Sequence, residues 1–558
     1  MSGSDPYRLI APLALLLLPA LGCGTSEQGS TLPSDGQQAN PTERAGLAQE
    51  APRPGTPPGP AREAVTPATL AAHVESKARA LARHDYSPPA TSLPADLAKL
   101  DYGQYQSIRF RPEAALWRGE TPFEVQLLHQ GSLYRAPVRI HMVDDERVFE
   151  IPFDAGLFDY DGAPTHVPGA DAADLGYSGF RIHYALNDPG VADEVAVFQG
   201  ASYFRLLGPG HVHGLSSRGL AIGIGDPAGE EFPDFTEFWL VRPESGETTL
   251  VFHALLDSPS VTGAYRFELE PGARTELRVD ARLFARRDVV KLGVAPLSTM
   301  FLYGPNRAGD FDDFRPEVHD SDGLMMLTRA GEWIWRPLAN RLHVRGTALE
   351  DRDLRGFGLA QREREFARYL DVEALYHRRP SEWVVIEDDW GTGVVELLEA
   401  PTDSEFSDNI ATAWVPEAPF SAGDERRYRY RLITFDGRLE AQTLAQVVRT
   451  GTGWDALPGE ASPAPRSQRR FIIDFAHGTL DAVDRDARVE ALIHTTSGEI
   501  SDLRTTRLPT GHGWRVSFRL APDGARPADM RLYLVLDGTR SSETWSYVWY
   551  PDEVPGKR

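Results

Sequence analysis

Acidic side chains crowd one short stretch of the chain. Around Asp320 this stretch holds Asp310, Asp312, Asp313, Arg315, Glu317, His319 and Asp322. Carboxylates that lie close together raise one another's pKa, which suits acid–base catalysis. The same crowding is typical of a solvated loop or of a cation site, and an octahedral metal site built from these oxygens is one alternative. Asp320 is therefore a candidate catalytic group, but the residues around it do not decide its role.

A second acidic candidate is Asp408, which stands just before an apolar run that contains Ile410, Ala411, Ala413 and Trp414. A carboxylate in this position can simply end a loop before a strand. The chemistry of the residues alone does not select Asp408 or Asp320 from the 81 acidic side chains of the chain.

The familiar signatures of other enzyme classes are missing from the sequence. There is no Gly-x-Ser-x-Gly elbow, no phosphate-binding loop and no His-Glu-x-x-His motif. Cys23 is the single cysteine, so neither an intramolecular disulfide nor a cysteine-based metal site is possible. The histidines are scattered and form no zinc pattern. We therefore expect no cofactor and no metal.

The charge balance bears on the partners of the protein. With 58 basic and 81 acidic side chains, the formal net charge is −23. A surface of this sign repels phosphate backbones, so we expect no nucleic-acid partner. A neutral polymer meets no such repulsion.

The N-terminal residues resemble an export signal. Arg8 precedes an apolar run that ends at Cys23 and is too short for a good transmembrane helix. The ending ALGC at 20–23 resembles a bacterial lipoprotein signal, so we predict a signal peptide over 1–23 with lipidation at Cys23. An ordinary cleaved signal is the alternative. Residues 24–65 are rich in Gly, Pro, Ser, Thr and Gln and lack aromatic residues, which predicts a disordered tether.

The rest of the chain has one readable helix and many strands. Thr66-Pro67 is typical of a helix start, and apolar residues follow at helical spacing: Leu70, Val74, Ala78 and Leu81. Short runs such as 123–127, 265–269 and 427–432 then read as strands between Gly, Pro and Asp clusters. This pattern predicts an all-β fold built on a large antiparallel sandwich.

We place a domain break after Phe435. The remaining about 120 residues hold about seven short strands, which fits a small immunoglobulin-like sandwich. Examples are 470–475, 514–520 and 531–536. The predicted domains are therefore 66–435 and 436–558.

Several longer runs point to a family. They are DYGQY at 101–105, GASYFR at 200–205, SRGLAI at 217–222, DDFRPEVHDSDGL at 312–324 and EWIWRPL at 332–338. With these runs the chain resembles the periplasmic glucan biosynthesis proteins of the OpgG/OpgD (MdoG/MdoD) family, over roughly residues 68–558. The resemblance implies a large β-sandwich like that of sugar mutarotases, followed by an immunoglobulin-like domain. It also implies a role in making osmoregulated periplasmic glucans, whose backbones are β-1,2-linked.

Members of this family are similar to inverting β-1,2-glucanases. An inverting hydrolase needs a protonated carboxyl group for the leaving oxygen and a carboxylate that activates water, typically ~6.5–9.5 Å apart. By the resemblance, Asp408 in segment 401–410 matches the general acid. Asp320 in the His-Asp-Ser motif at 319–321 matches the general base. Retention of both carboxylates is necessary for activity but not sufficient.

Candidate substrate-binding residues surround these acids. Trp333 and Trp335 alternate along a strand, so they share one face, on which they could stack on glucose rings or pack in the core. Arg336 and His319 could bond sugar hydroxyls or form structural ion pairs. Four further residues could line the same cleft or brace the sandwich: Tyr203, Arg205, Tyr376 and Arg379.

Two functions compete on this basis. The first is an inverting endo-β-1,2-glucanase that acts on periplasmic β-1,2-glucan, which retention of Asp320 and Asp408 favours. The second is a non-catalytic glucan-binding or scaffold protein of the glucan biosynthesis machinery. A mutarotase-like epimerase rests on analogy of fold alone. In either case we expect a periplasmic protein that meets the membrane only through a lipid at its N-terminus.

Overall fold

The computed structural model describes residues 65–89, 93–144, 147–161, 175–306, 311–454, 464–484 and 487–553. The predicted signal peptide, Cys23 and residues 24–64 of the predicted tether lie outside these ranges, as does Asp310. In the described ranges, no helix is long and apolar enough to cross a membrane.

Strands dominate the described residues, and the helices are few and short. The helices are α1 (Pro67–Leu81), α2 (Ala95–Ala98), α3 (Tyr102–Gln106) and α4 (Phe366–Tyr369). The first strands are β1 (Ile108–Phe110), β2 (Phe123–His129), β3 (Arg139–Asp144), β4 (Arg147–Glu150), β5 (Phe158–Tyr160), β6 (Tyr177–Tyr184), β7 (Asp193–Gln199), β8 (Tyr203–Leu206), β9 (Ser216–Arg218), β10 (Leu220–Ile222), β11 (Asp234–Val241), β12 (Leu250–Asp257), β13 (Val261–Glu270), β14 (Glu276–Ala285), β15 (Leu292–Thr299), β16 (Phe301–Tyr303) and β17 (Val318–His319). The others are β18 (Gly323–Leu327), β19 (Trp333–Pro337), β20 (Arg345–Arg352), β21 (Gly356–Ala360), β22 (Ser381–Ile386), β23 (Thr392–Glu399), β24 (Ile410–Pro416), β25 (Glu425–Phe435), β26 (Gln446–Trp454), β27 (Arg469–Ala476), β28 (Val489–Thr495), β29 (Glu499–Arg507), β30 (Trp514–Ala521), β31 (Ala528–Leu536), β32 (Thr539–Arg540) and β33 (Thr544–Trp549). The predicted all-β class is confirmed.

Most strands belong to three sheets. Sheet A has the order β2-β6-β7-β8-β9-β15-β24-β23-β20, with β10 on β15. Sheet B has the order β28-β31-β33-β19-β18-β21-β22-β25-β14-β13-β12-β11-β3-β4, with β32 on β31. Sheet C has the order β26-β27-β30-β29. Pairing is mainly antiparallel, and the parallel exceptions are β3 with β11 and β19 with β33.

A first core lies between sheets A and B. Strand β2 turns Phe123, Val125 and Leu127 into it, as its alternating pattern predicts. Aromatic rings close the gap between the sheets: Phe198 on β7 lies 5.1 Å from Phe252 on β12, ring centre to ring centre. This is the sandwich that the strand pattern predicts.

A second core lies between sheet C and the neighbouring part of sheet B. Phe471 on β27 stacks on Phe518 on β30, and both contact Trp545 on β33. Strand β33 pairs with β19 through Ile334–Thr544 and Trp335–Trp545. Sheet B therefore runs across the predicted domain break, whose position after Phe435 coincides with the end of β25.

Several strands of sheet B are buried on both faces. On β19, Ile334 belongs to the first core, whereas Trp333 and Trp335 belong to the second. On β18, Met326 and Met325 are divided in the same way. Because side chains alternate across a strand, one segment serves two cores at once.

Helix α1 packs on the outer face of sheet B. Its buried residues Leu70, Val74 and Ala78 join a cluster with Trp239, which confirms the predicted helix and its buried stripe. Lys77 adds an ion pair with the buried Glu237 at 2.6 Å. The helix is thus part of the folded body.

Candidate functional site

Asp320 follows β17 and is held below the protein surface. Its backbone N–H donates to the Met300 carbonyl at 2.9 Å. Only 2% of the residue is exposed, and its Oδ1 accepts a hydrogen bond from Arg379 Nη1. Burial raises the pKa of Asp320, while the positive charges of Arg379 and Arg205 oppose the rise.

Asp408 ends a loop that is fixed to the start of β16, directly after Met300. The neighbouring Asn409 accepts a hydrogen bond from the Phe301 N–H at 2.8 Å and donates to the Ala400 carbonyl at 2.9 Å. Asp320 is bonded to Met300 and Asp408 adjoins a residue bonded to Phe301. The fold therefore brings together two acids that are far apart in the chain.

The environment of Asp408 favours a protonated carboxyl group. The side chain is partly buried, and its Oδ2 is fully buried without a hydrogen-bond partner among the described residues. Burial, with the nearby negative charge of Asp320, raises the pKa of Asp408 to about 6. The charges of Arg205, Arg218 and Arg379 oppose this rise. A carboxyl group that keeps its proton near neutral pH is suited to general-acid catalysis.

Arg205, whose charge acts on both acids, also lines a cavity with a volume of about 630 Å³. Arg205 and Tyr203 both line this cavity, as expected for two residues that alternate on β8. The charge of Arg205 also opposes the rise in the pKa of both Asp320 and Asp408. Neither acid is itself among the lining residues.

Tyr376 and Arg379 lie close to Asp320, to which Arg379 donates a hydrogen bond. The Arg379 guanidinium lies 4.0 Å from the centre of the Tyr376 ring. The Tyr376 hydroxyl donates to Glu405 Oε2 at 2.5 Å, and Arg315 donates to the same oxygen at 2.9 Å. Contacts thus run from Asp320 through Arg379 and Tyr376 to Glu405, which belongs to the loop that carries Asp408.

The acidic stretch around Arg315 is an ion-pair network. Arg315 binds Asp313 at 2.7 Å and Asp371 at 2.8 Å, besides Glu405. One guanidinium thus forms ion pairs with three carboxylates. Among the described residues, no group of three or more His, Cys, Asp or Glu is arranged to hold a metal ion.

The other predicted binding residues lie in the interior. Trp333 and Trp335 do share one face of β19, but this face packs in the second core. Both nitrogens of the fully buried His319 are engaged, by Gln361 at 2.8 Å and by Glu317 at 3.2 Å. His319 therefore offers a glucan no open surface, whereas Trp333, which is 7% exposed, also lines a second cavity of about 540 Å³.

Arg336 is placed at the seam between the two cores. It is fully buried, and its Nη2 lies 3.3 Å from Glu399. The guanidinium also lies 5.2 Å from the centre of the Tyr547 ring. The sequence left open whether Arg336 binds sugar hydroxyls or forms a structural ion pair. The contacts in the structure are those of an ion pair, with Glu399.

Sequence reasoning missed a buried carboxyl group near the acids. Glu382 on β22 is fully buried and accepts a hydrogen bond from Ser217 Oγ at 2.5 Å. Burial raises its pKa to about 7, and the charge of Arg205 opposes the rise. The available signal was a single acidic residue inside an apolar strand, SEWVVI.

Comparisons with known proteins add the following findings. A family model described as periplasmic glucan biosynthesis protein, MdoG, matches residues 70–549. Glucans biosynthesis protein G of Shewanella frigidimarina is 43% identical over 474 residues, which cover 85% of this chain and 83% of the relative. The protein of the same name from Vibrio cholerae is 42% identical over 474 residues, or 85% of each chain. That of Rhodopseudomonas palustris is 43% identical over 477 residues, which cover 85% and 92%.

Proposed function

Because the chain belongs to the MdoG family of periplasmic glucan biosynthesis proteins, we propose that it is an inverting endo-β-1,2-glucanase acting on periplasmic glucans. The family description names the periplasm as the compartment and glucan biosynthesis as the process. Hydrolysis, the β-1,2 linkage and the inverting course are the parts that we propose.

The single observation that carries this proposal is the state of Asp408. Its carboxyl group has a pKa raised to about 6, a buried oxygen without a hydrogen-bond partner among the described residues, and Asp320 as a charged neighbour. Two carboxyl groups in unlike environments are the usual signature of an acid and base pair. In the proposed reaction Asp408 donates its proton to the leaving glycosidic oxygen. Asp320 accepts the proton of the attacking water.

The burial of Asp320 constrains how it could act. Since its carboxylate is paired with Arg379 inside the protein, a water in the cavity must reach it through intervening polar groups or after a movement of Arg379. Tyr376 is a polar residue beside this pair, because its ring centre lies 4.0 Å from the Arg379 guanidinium and its hydroxyl donates to Glu405.

We further propose that export depends on residues 1–23 and that a lipid on Cys23 tethers the protein in the periplasm. The motif ALGC and the aromatic-free segment that follows support this arrangement. Contact with the membrane is then confined to the N-terminal lipid.

The proposal is tested with purified protein and linear β-1,2-glucan. We expect shorter chains whose newly formed reducing end has the α configuration in the first minutes, detected by NMR spectroscopy. Asp408→Asn and Asp320→Asn should each abolish these products, whereas Asp403→Asn, which changes an exposed acid of the same loop, should not. Products that persist in Asp408→Asn would refute the acid assignment.

The second candidate function is glucan binding without cleavage. The observation that favours it is the position of Asp320, which is 2% exposed and ion-paired rather than open to the cavity. In that case the wild-type protein binds linear β-1,2-glucan and releases no shorter chains.

A further inference from the structure

The second cavity, of about 540 Å³, lies on the face of sheet B that is turned away from sheet A. On its floor, Trp333 of β19 is paired with Leu327 of β18 in the strand register. Leu327 is paired in turn with Gly356 of β21, and Gly356 with Val385 of β22. At a strand spacing of about 4.8 Å, this row of four residues is about 14 Å long. We call the space above it the junction cavity, because residues 439–441, which connect the N-terminal and C-terminal parts, form one of its walls.

The floor of the junction cavity is aromatic at one end, because Trp383 of β22 lies beside Trp333. The two ring centres are 5.3 Å apart, and the rings are tilted by 38°. This arrangement needs glycine at position 356, since a Cβ there would lie 2.6 Å from Cζ2 of Trp383. Both tryptophans belong to the second core, yet 7% of Trp333 and 5% of Trp383 stay exposed and line the cavity. Together with the partly buried Leu327 and Val385, they make an apolar floor.

Most of the acids on the rim of the junction cavity are already paired with arginines. Four ion pairs account for them: Arg274–Glu440, Arg329–Asp353, Arg431–Glu387 and Arg429–Asp388. The first of these, at 2.7 Å, joins the loop between β13 and β14 to the connecting residues 439–441. Because the charges cancel in pairs, the rim does not select an ion of either sign.

Two exposed residues on the rim carry charges that no ion pair satisfies. Arg355 stands just before β21, and Asp389 lies in the turn between β22 and β23. Neither side chain has a hydrogen-bond or ion-pair partner among the described residues. Both line the cavity. They offer one strong donor and one strong acceptor, a combination that suits the hydroxyl groups of a neutral ligand.

The junction cavity and the surroundings of Asp320 and Asp408 lie on opposite faces of β22. Val385 lines the cavity, so Glu382, three positions earlier on the same strand, faces the other way. The carboxyl group of Glu382 accepts its hydrogen bond from sheet A. The charge of Arg205, which acts on both acids, also acts on Glu382. A ligand in the junction cavity is therefore separated from the two acids by sheet B.

We propose that the junction cavity is a second glucan-binding site, separate from the two acids. The ring of a β-linked glucose unit has apolar C–H faces and a rim of hydroxyl groups. The apolar face lies on the floor of Trp333, Leu327 and Val385, and the hydroxyl groups bind Arg355 and Asp389. An apolar floor with a few placed polar groups, and a volume in the range of roughly 300–1,000 Å³, are usual for ligand sites. The identity of the ligand rests on the proposed function.

The number of binding sites is measured by calorimetry with a short linear β-1,2-gluco-oligosaccharide, in the Asp408→Asn background so that no cleavage interferes. Val385→Arg places a long charged side chain on the floor and should remove one binding site per protein. The double variant Arg355→Ala/Asp389→Ala changes exposed residues only and should weaken one site about tenfold, the usual result of removing a central contact. The matched control is Val394→Arg, at a partly buried valine of β23 in sheet A that lines neither cavity. It should leave the sites unchanged.

Two results would overturn the second site. One is an unchanged number of sites and unchanged affinity in both Val385→Arg and the double variant, with melting temperatures close to that of the background protein. The other is an equal loss in Val394→Arg, which would show a general effect on folding. Should Val385→Arg fail to fold, the double variant decides alone, because both of its residues are exposed.

The second site and the proposed hydrolysis can fail separately. Loss of one site in Val385→Arg, together with a wild-type protein that releases no products, would support the second site and refute hydrolysis. Cleavage by the wild type, with every site retained in Val385→Arg and in the double variant, would refute the second site and leave hydrolysis standing. With Asp408 intact, Val385→Arg should cleave the short oligosaccharide at the wild-type rate. Loss of that cleavage in a folded protein would refute the separation of the cavity from the acids.

Discussion

The exchange of Asp408 for Asn tests the central argument in two independent ways. Asn keeps the shape of the side chain but has no proton to give. Loss of a general acid usually costs about 10²–10⁴-fold in rate, so release of shorter glucan chains should fall by at least that range. Because the wild-type acid must be protonated and its pKa lies at about 6, wild-type cleavage should decline as the pH rises above about 6.

The same pKa predicts an effect on stability that does not depend on cleavage. The ordinary value for Asp is 3.8, and burial raises that of Asp408 to about 6. The folded state therefore keeps its proton to a higher pH than the unfolded chain does. The stability present below about pH 4 is lost as the pH rises through about 6. About two units at about 1.4 kcal/mol each correspond to about 3 kcal/mol, an upper bound for a partly solvated group.

Asn has no charge to bury, so the variant escapes this loss. Denaturant unfolding of both proteins should give similar free energies near pH 4 and a more stable Asp408→Asn protein near pH 8, by up to about 3 kcal/mol. Asp403→Asn serves as the control, because that exposed residue should show no such difference. If Asp408→Asn were less stable than the wild type near pH 8, Asp408 would be a paired carboxylate. The argument for a protonated acid would then be refuted.

Three further predictions follow from the same contacts. Burial raises the pKa of Glu382 to about 7, so the wild-type protein loses stability as the pH rises from about 4.5 through 7. Glu382→Gln should therefore melt at a higher temperature than the wild type near pH 8. Near pH 4 the two melting temperatures should be the same. Arg379→Met leaves Asp320 buried without its cation, which should cost about 3–5 kcal/mol in denaturant unfolding and abolish cleavage. Cys23→Ser should move the protein from the membrane fraction to the soluble periplasmic fraction, as measured by cell fractionation.

Each of these predictions has a contrary outcome. A Glu382→Gln protein with the same melting difference at both pH values would show that Glu382 does not titrate in this range. Unchanged stability of Arg379→Met would mean that the ion pair is not formed in solution. Membrane retention of Cys23→Ser would exclude Cys23 as the anchor.

Patterns that act over a few residues were readable from the sequence. The spacing of Leu70, Val74 and Ala78 predicts the buried stripe of α1, since helical periodicity is a local property. The alternation of Trp333 and Trp335 likewise predicts their shared face, as β19 shows. What covers that face depends on the pairing of β19 with β33, some 200 residues away, which no local pattern encodes.

The candidate site depends on such distant contacts almost entirely. Asp320 and Asp408 were selected through the family resemblance, because residue chemistry did not distinguish them from other acids. The alignment of Gln126, Arg181 and Arg205 across sheet A could not be foreseen, since these residues come into line only through strand register. His319 looked functional because it stands in a charged motif, yet its ring stacks on Phe301 in the interior.

The strands of sheet B that are buried on both sides limit how the molecule can be divided. A truncation after Phe435 would remove every strand of sheet C together with β33, and would leave Trp333, Trp335 and Trp383 facing water. The fragment would then expose an apolar aromatic patch next to an unpaired strand edge at β19. Exposed patches and unpaired edges of this kind promote aggregation. The C-terminal part has the size of a separate module, but it shares sheet B and the second core with the N-terminal part. An exchange of this part between relatives would therefore have to include the strands on both sides of that core.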